Sequence, residues 1–438
     1  MDSKDHNHHS HFVFSIKKLA RVFLLISVIY VFLLSIIFSY VSSSAFQNDR
    51  QLPYISQTES LLRKQRRQVT KDNSIARGIK REYEQQYPPS DLNRIKQYVH
   101  QKLRRDHDYE TQLNMPYDIY NCPSAPPENY PLAWNAPDLL KNWNPGNTTE
   151  PERLYQSLCV FDYEQDFEKA TTYRNAEVPF LIRNTPELLQ TAERWNHTNY
   201  LSKLLQGKEE MVEHADNPHF MYFKTGNRNT NQLPKGWKPP MEVNHLTFDD
   251  WYQRAHAVTT DEFHQERYYF RINGGPVQHQ FLLDELPIFD ATHGSGFFMV
   301  DPNEARGINC RFGMKGVMAE THYDQSRNFI VLMGGQRRYV LAHPNQCPKM
   351  YLYPVGHPSG RHSAIDWIQP DYERFPEFAK AQLSEVVLQA GDALYLPTFW
   401  FHFIVSLNVN YQCNARSGAT YEHVRYIEQC GFRLPRNF

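Results

Sequence analysis

The chain has 438 residues, 22% of them charged and 41% hydrophobic, with a formal net charge of −1. This length holds one large domain with an extension, or two domains, and the near-zero charge excludes a global basic field of the kind that collects nucleic acid. The apolar fraction is that of a folded protein, so the 28 Pro and 27 Tyr read as long ordered loops over a compact core.

Residues 1–21 form a polar, His-rich segment expected to be a cytosolic tail, with Lys17, Lys18 and Arg21 at its end. Residues 22–41 carry no charge and are long enough to cross a bilayer as a helix. The run exceeds a usual signal-peptide core, so it reads as an uncleaved signal anchor rather than a cleaved leader. Positive charge before it places the N-terminus in the cytosol and the body in the lumen. The expectation is therefore a single-pass type II membrane protein of the endoplasmic reticulum or Golgi. Two glycosylation sequons, Asn147-Thr-Thr149 and Asn196-His-Thr198, fit that placement. Six cysteines follow the apolar run, and none forms a Cys-x-x-Cys pair. This argues against a zinc ribbon or thioredoxin-like site, while an oxidising compartment permits disulfides.

Residues 42–115 read as a charged stalk in which Leu92, Ile95, Val99 and Leu103 recur at helical spacing. Residues 116–150 form a Pro-rich arm that Trp134 and Trp143 pin to the body, with Cys122 and Cys159 as a candidate disulfide pair. The folded domain spans 151–438. Val178–Arg183 predicts a strand, residues 185–195 a helix, and Tyr200, Leu201, Leu204 and Leu205 a second apolar stripe. Residues 207–245 read as loop. Another helix starts over Leu246–Tyr252, with Thr247 as its cap and Asp250 answering it.

From Arg267 the pattern turns to short strands: Arg267–Ile272, Gly296–Val300, Gly316–Thr321, Asn328–Met333, Arg338–Ala342, Ala393–Leu396 and Phe401–Val409. Short strands without regular helical crossovers predict an antiparallel barrel or sandwich. Residues 344–389 read as an insert over its mouth, with a helix over 371–383.

The chemistry sits in two stretches. His322 and Asp324, two residues apart, share one face of a strand, and His402 follows Gly391-Asp-Ala-Leu-Tyr-Leu-Pro-Thr-Phe-Trp-Phe. Two histidines and a carboxylate leave three positions open on an octahedral metal, as in non-haem Fe(II) oxygenases.

These stretches, with Asn328-Phe329 after the His-x-Asp and Val178-Pro-Phe-Leu-Ile-Arg183 ahead of Trp195, resemble the JmjC domains over residues 151–418. The likeness is to the small hydroxylases related to the asparaginyl hydroxylase that inhibits hypoxia-inducible factor. It implies a mainly β double-stranded β-helix (jelly-roll, cupin) with flanking helices, preceded here by the transmembrane helix and stalk. It also implies Fe(II) on His322, Asp324 and His402, and 2-oxoglutarate as co-substrate. Asn328 and Asn410 match family asparagines. Arg337, in Gly335-Gln336-Arg337-Arg338, stands where the family has a lysine that pairs with the distal carboxylate of 2-oxoglutarate. A guanidinium can do this bidentately but is longer and flatter. Arg416 is the rival clamp. Ala319 replaces a family threonine, and Tyr268 or Tyr269 supplies the hydroxyl instead.

The expected function is hydroxylation of a side chain of a luminal or secreted protein by a membrane-anchored monomer, with no nucleic-acid partner. The alternatives are a non-catalytic glycan- or peptide-binding cupin, or an oxygenase that demethylates or hydroxylates a non-protein substrate.

Overall fold

Alternation along the central strands sets the layering. The computed structural model describes residues 52–87, 95–97, 99, 115–224, 234–257, 266–274, 280–290 and 296–433. The chain divides into residues 1–71 and a unit of 72–438. The strands, all in the second unit, are β1 (Trp134–Asn135), β2 (Val160–Asp162), β3 (Phe180–Arg183), β4 (Glu209–Ala215), β5 (His219–Phe220), β6 (Glu242–Thr247), β7 (Arg267–Gly274) and β8 (Ala305–Gly313). They continue with β9 (Met318–Tyr323), β10 (Asn328–Gly334), β11 (Gln336–Ala342), β12 (Gln382–Gln389), β13 (Ala393–Leu396), β14 (Phe401–Ser406) and β15 (Asn410–Ser417).

One sheet has the order β1-β12-β11-β14-β9-β5 and the other β2-β3-β13-β10-β15-β8-β7-β4-β6. On β10, Ile330 and Leu332 face a cluster that includes Tyr339 and Leu341 of β11 and Val386 and Leu388 of β12. Phe329, Val331 and Met333 face the opposite way, into a second cluster. On β11, Val340 and Ala342 enter a third. Both faces of each strand are buried, so each reads as a nearly continuous apolar run.

The expected mainly β double-stranded β-helix needs correction. Each strand order is linear and ends on edge strands, so among the described residues both sheets are open and no barrel closes. Helices make up much of the remainder: α1 (Leu52–Gln86), α2 (Ala136–Asn142), α3 (Phe167–Asn175), α4 (Pro186–Trp195), α5 (Tyr200–Leu204), α6 (Phe248–Ala257), α7 (Phe281–Glu285) and α8 (Val424–Gln429). The architecture is mixed α/β. The physical reason lies in strands without apolar alternation. β4, β5 and β6 occupy the expected loop of 207–245, and β8 carries Asn309 and Arg311 on the face where a core residue would signal a strand. β12 takes the end of the expected helix of 371–383, which shrinks to a 3-10 turn at Pro376–Lys380. Residues 296–300 are turns rather than a strand.

Other expectations agree in place. Thr247 Oγ1 accepts from the Asp250 amide (3.2 Å) and donates to Asp250 Oδ2 (2.7 Å) at the start of α6. β1 pairs with β12, and the Arg338 guanidinium lies 4.3 Å over Trp143. Ile95 and Val99 are buried against Leu189. Cys122 is bonded to Cys159, Cys310 to Cys413 and Cys347 to Cys430.

The membrane expectation is also corrected. Among the described residues no helix is long and apolar enough to cross a membrane, and the run 22–41 lies outside the described residues. α1 is too polar to serve. Membrane anchoring, the type II orientation and the endoplasmic reticulum or Golgi placement are not carried further.

Candidate metal centre and cofactor cavity

β9 and β14 run side by side with His322 opposite His402, their rings 4.2 Å apart between centroids. A register shift between His402 and Ile404 sets two residues of β9, Glu320 and Thr321, against Phe403 of β14. This bulge lets Ala319 and His322, an odd number of positions apart, face the same cavity. β9 ends at Tyr323, so Asp324 lies just past the strand that was expected to carry it. Its carbonyl is held by the Phe399 amide at 2.8 Å. The ligand atoms of His322, Asp324 and His402 lie within 4.8 Å of one another.

The surroundings fix the chemical state of each group. His322 Nδ1 lies 2.7 Å from the Glu320 carbonyl and His402 Nδ1 lies 3.1 Å from the Trp400 carbonyl. Each Nδ1–H donates there, which leaves both Nε2 lone pairs for a metal. Burial, reinforced by His402 and His362, holds His322 well below its ordinary value. Burial also lowers His402. Both rings are therefore neutral. Burial pushes Asp324 up, but the charge of Arg416 beside it outweighs this and holds the carboxyl well below the usual range. Arg416 Nη2 stands 2.6 Å from Asp324 Oδ2. Asn328 Nδ2 donates to the same oxygen (3.3 Å), Asn414 Nδ2 to Asn328 Oδ1 (2.9 Å), and Arg311 Nη1 to Asn414 Oδ1 (3.2 Å). Two neutral imidazoles and an ionised carboxylate, each braced from behind, form the donor set of a 2-His-1-carboxylate iron site.

The far end of the cavity lies between the two sheets. Arg337 is fully buried. Its Nε donates to Asn410 Oδ1, its Nη1 to the Tyr269 hydroxyl (3.0 Å) and Gln412 Oε1 (2.7 Å), and its Nη2 to the Arg311 carbonyl (3.3 Å). All these acceptors are neutral. Gly313 makes the space, because a Cβ there would sit 2.9 Å from Arg337 Nη2. Tyr269 and Gln412 line the cavity, whereas Arg337 and Asn410 stand behind them. Tyr268 points the other way, stacked 4.6 Å from His214. Arg416 sits at the metal end, beside Asp324. Asp392 caps its own turn through the Gln389 amide (2.9 Å) and pairs with Arg183 (3.1 Å), away from His402.

Sequence reasoning overlooked Glu213, Arg271, Arg311, Tyr339, His362, Gln412 and Asn414, all of which line the cavity. The signal was present on β15, where Asn410, Gln412, Asn414 and Arg416 alternate with Tyr411, Cys413 and Ala415. A polar row at period two on a buried strand marks a wet interior face.

A model of the cupin-like domain matches residues 164–416. Among curated proteins the chain is similar to tRNA wybutosine-synthesizing protein 5 of Gallus gallus, at 32% identity over 174 residues, 37% of this chain and 50% of that protein. The Homo sapiens protein of the same name is 29% identical over 231 residues, 52% of this chain and 67% of the relative. JmjC domain-containing protein D of Dictyostelium discoideum is 31% identical over 104 residues, 24% of this chain and 23% of that protein. The chain thus spans about half the length of the first of these relatives. The triad and its neutral imidazoles could hold a metal ion and form the donor set that non-haem Fe(II) oxygenases use. With the match over residues 164–416, the chain belongs to the cupin-like domain family, within the JmjC and cupin-like oxygenase superfamily.

Proposed function

We propose that the protein hydroxylates a C–H bond of a non-protein substrate, with Fe(II) on His322, Asp324 and His402 and the distal carboxylate of 2-oxoglutarate toward Arg337. The observation that carries the oxygenase reading is the triad, whose ligand atoms lie within 4.8 Å of one another. When bound, Fe(II) and 2-oxoglutarate supply oxygen activation coupled to decarboxylation, with succinate and carbon dioxide as co-products.

The chain's own residues hold and orient. A buried cation among neutral acceptors is costly without a counter-charge, and a carboxylate arriving at Arg337 would provide one. The Tyr269 oxygen accepts from Arg337, which leaves its O–H to donate into the cavity. Asn410 aims Arg337. Asn328 and Arg416 keep Asp324 oriented and ionised.

Support for a non-protein substrate comes from the relatives named for tRNA wybutosine synthesis. A second reading, hydroxylation of a protein side chain, rests on the Asn328-Phe329 pair and its likeness to the asparaginyl hydroxylase subgroup. Succinate release assayed with tRNA, nucleoside and peptide pools separates them. Stimulation by tRNA or nucleosides alone is expected, and stimulation by peptides alone would move the reading to protein hydroxylation. If anaerobic Fe(II) and 2-oxoglutarate gave no charge-transfer band in the wild-type chain, the oxygenase reading would end.

A further inference from the structure

Among the described residues, one cation that lines the cavity forms no ion pair. Three guanidiniums line it, from Arg271, Arg311 and Arg416. Arg416 is paired with Asp324 and Arg271 with Glu213. Among the described residues Arg311 donates only to the amide oxygen of Asn414 and forms no ion pair. It stands on β8 directly opposite Arg271 of β7 and Gln412 of β15. Like charges at directly opposed positions repel, so the pairing of Arg271 with Arg311 raises the cost of leaving the second guanidinium without an anion. Arg271 is itself short of partners: its Nε is buried with none, and burial and Arg311 both work against its charge.

A bound 2-oxoglutarate dianion does not remove this excess. Its chelating end would offset the metal, and its distal carboxylate would answer Arg337 by way of Tyr269, which lines the cavity and accepts from Arg337. Arg311 is left in the cavity that also holds the triad and whose lining includes Phe220 and Tyr222, and Tyr222 is exposed.

We infer that Arg311, with Arg271 beside it, forms an oxyanion subsite for the prime substrate, so that the molecule oxidised here presents a phosphate or carboxylate next to the metal centre. The inference rests on the oxygenase reading and on Arg337 as the cofactor's partner. A guanidinium suits either group, because its planar fork of N–H donors matches two oxygens at once.

The test uses the full chain, loaded anaerobically with Fe(II) and 2-oxoglutarate and titrated at constant ionic strength with inorganic phosphate and, separately, with acetate. Calorimetry reads anion binding, and the charge-transfer band reads the cofactor. The expected result is saturable binding of one anion with the band intact. Arg311→Met should weaken that binding at least tenfold and Arg311→Lys should restore most of it, with a much smaller shift in the 2-oxoglutarate concentration that half-saturates the band. The anion that binds more tightly identifies the group. Loss of the band as phosphate or acetate binds would assign Arg311 to the cofactor instead. Equal affinity in wild type and Arg311→Met, or no binding of either anion, would also overturn the inference. A wild-type chain without a band fails the oxygenase reading alone, because calorimetry on the same chain still reports whether Arg311 binds an anion.

Discussion

Each triad residue does a separate job that its neighbours impose. His322 and His402 are kept neutral by burial and turned by backbone carbonyls, and Asp324 is kept ionised by Arg416. Replacing a ligand therefore removes a donor that no nearby group can supply in the same direction. His322→Ala should abolish the Fe(II)–2-oxoglutarate charge-transfer band and lower succinate formation at least about 100-fold, since supporting residues alone already cost 10- to 100-fold when removed. The two adjacent tyrosines make a sharper comparison. Tyr269 lines the cavity and meets Arg337, while Tyr268 stacks on His214 on the opposite face of β7. Tyr269→Phe should weaken 2-oxoglutarate by roughly ten- to 100-fold, the worth of about one hydrogen bond to a charged group. Tyr268→Phe should leave the titration curve unchanged.

Two features of single elements carry their own consequences. The turn from β10 to β11 passes through Gly335 at φ +70°, where a Cβ would collide with the Val409 carbonyl. Gly335→Ala should lower the unfolding free energy by about 2 kcal/mol or more, read as a lower denaturant midpoint with unchanged slope, because left-handed strain and a backbone clash add. After β11, His343 caps a 3-10 turn by accepting from the Asn345 amide at Nδ1 (3.1 Å). Burial, with His423 close by, pushes His343 down to about 4.

In the pH window between that value and the ordinary 6.5, the unfolded chain binds the proton and the folded one does not. Stability from this group is thus full above pH 6.5 and is lost as pH falls toward 4, by on the order of 3 kcal/mol. His343→Asn keeps an acceptor without a titration and should flatten the acid limb of melting temperature against pH.

At the scale of the molecule, disulfides tie together parts that the sheets leave open. Cys310 and Cys413 are directly opposed on β8 and β15, the two strands that carry Arg311 and the polar row of the cavity. Cys347–Cys430 joins the segment after β11 to α8, and Cys122–Cys159 joins the arm to β2. The closed loops span 103, 83 and 37 residues, for which loop entropy alone gives about 4 to 5 kcal/mol each. Full reduction should lower the melting temperature markedly. Cys310→Ala with Cys413→Ala should also weaken Fe(II)–2-oxoglutarate binding, because β8 and β15 can then splay. An unchanged band in that double variant would show that the hydrogen-bonded register alone holds the cavity wall.

The sequence by itself determined the candidate metal ligands and the central strands. His322, Asp324 and His402 sit in stretches whose spacing and apolar flanks are local properties, and strands buried on both faces, such as β10 and β13, announce themselves as apolar runs. The tertiary structure alone decided which strands complete the sheets, that the sheets stay open, and which side chains meet across the cavity. β4, β6 and β8 carry polar residues because part of their surface faces solvent or a wet interior, so hydropathy could not mark them. The bulge that aims Ala319 and His322 together depends on the register with β14, and the separate placements of Tyr268 and Tyr269 depend on which face of β7 is inward. Arg311 was invisible for the same reason. A lone arginine in a sequence is usually solvated, and only the pairing of β7, β8 and β15 sets this one in the cavity of the triad with no ion pair among the described residues.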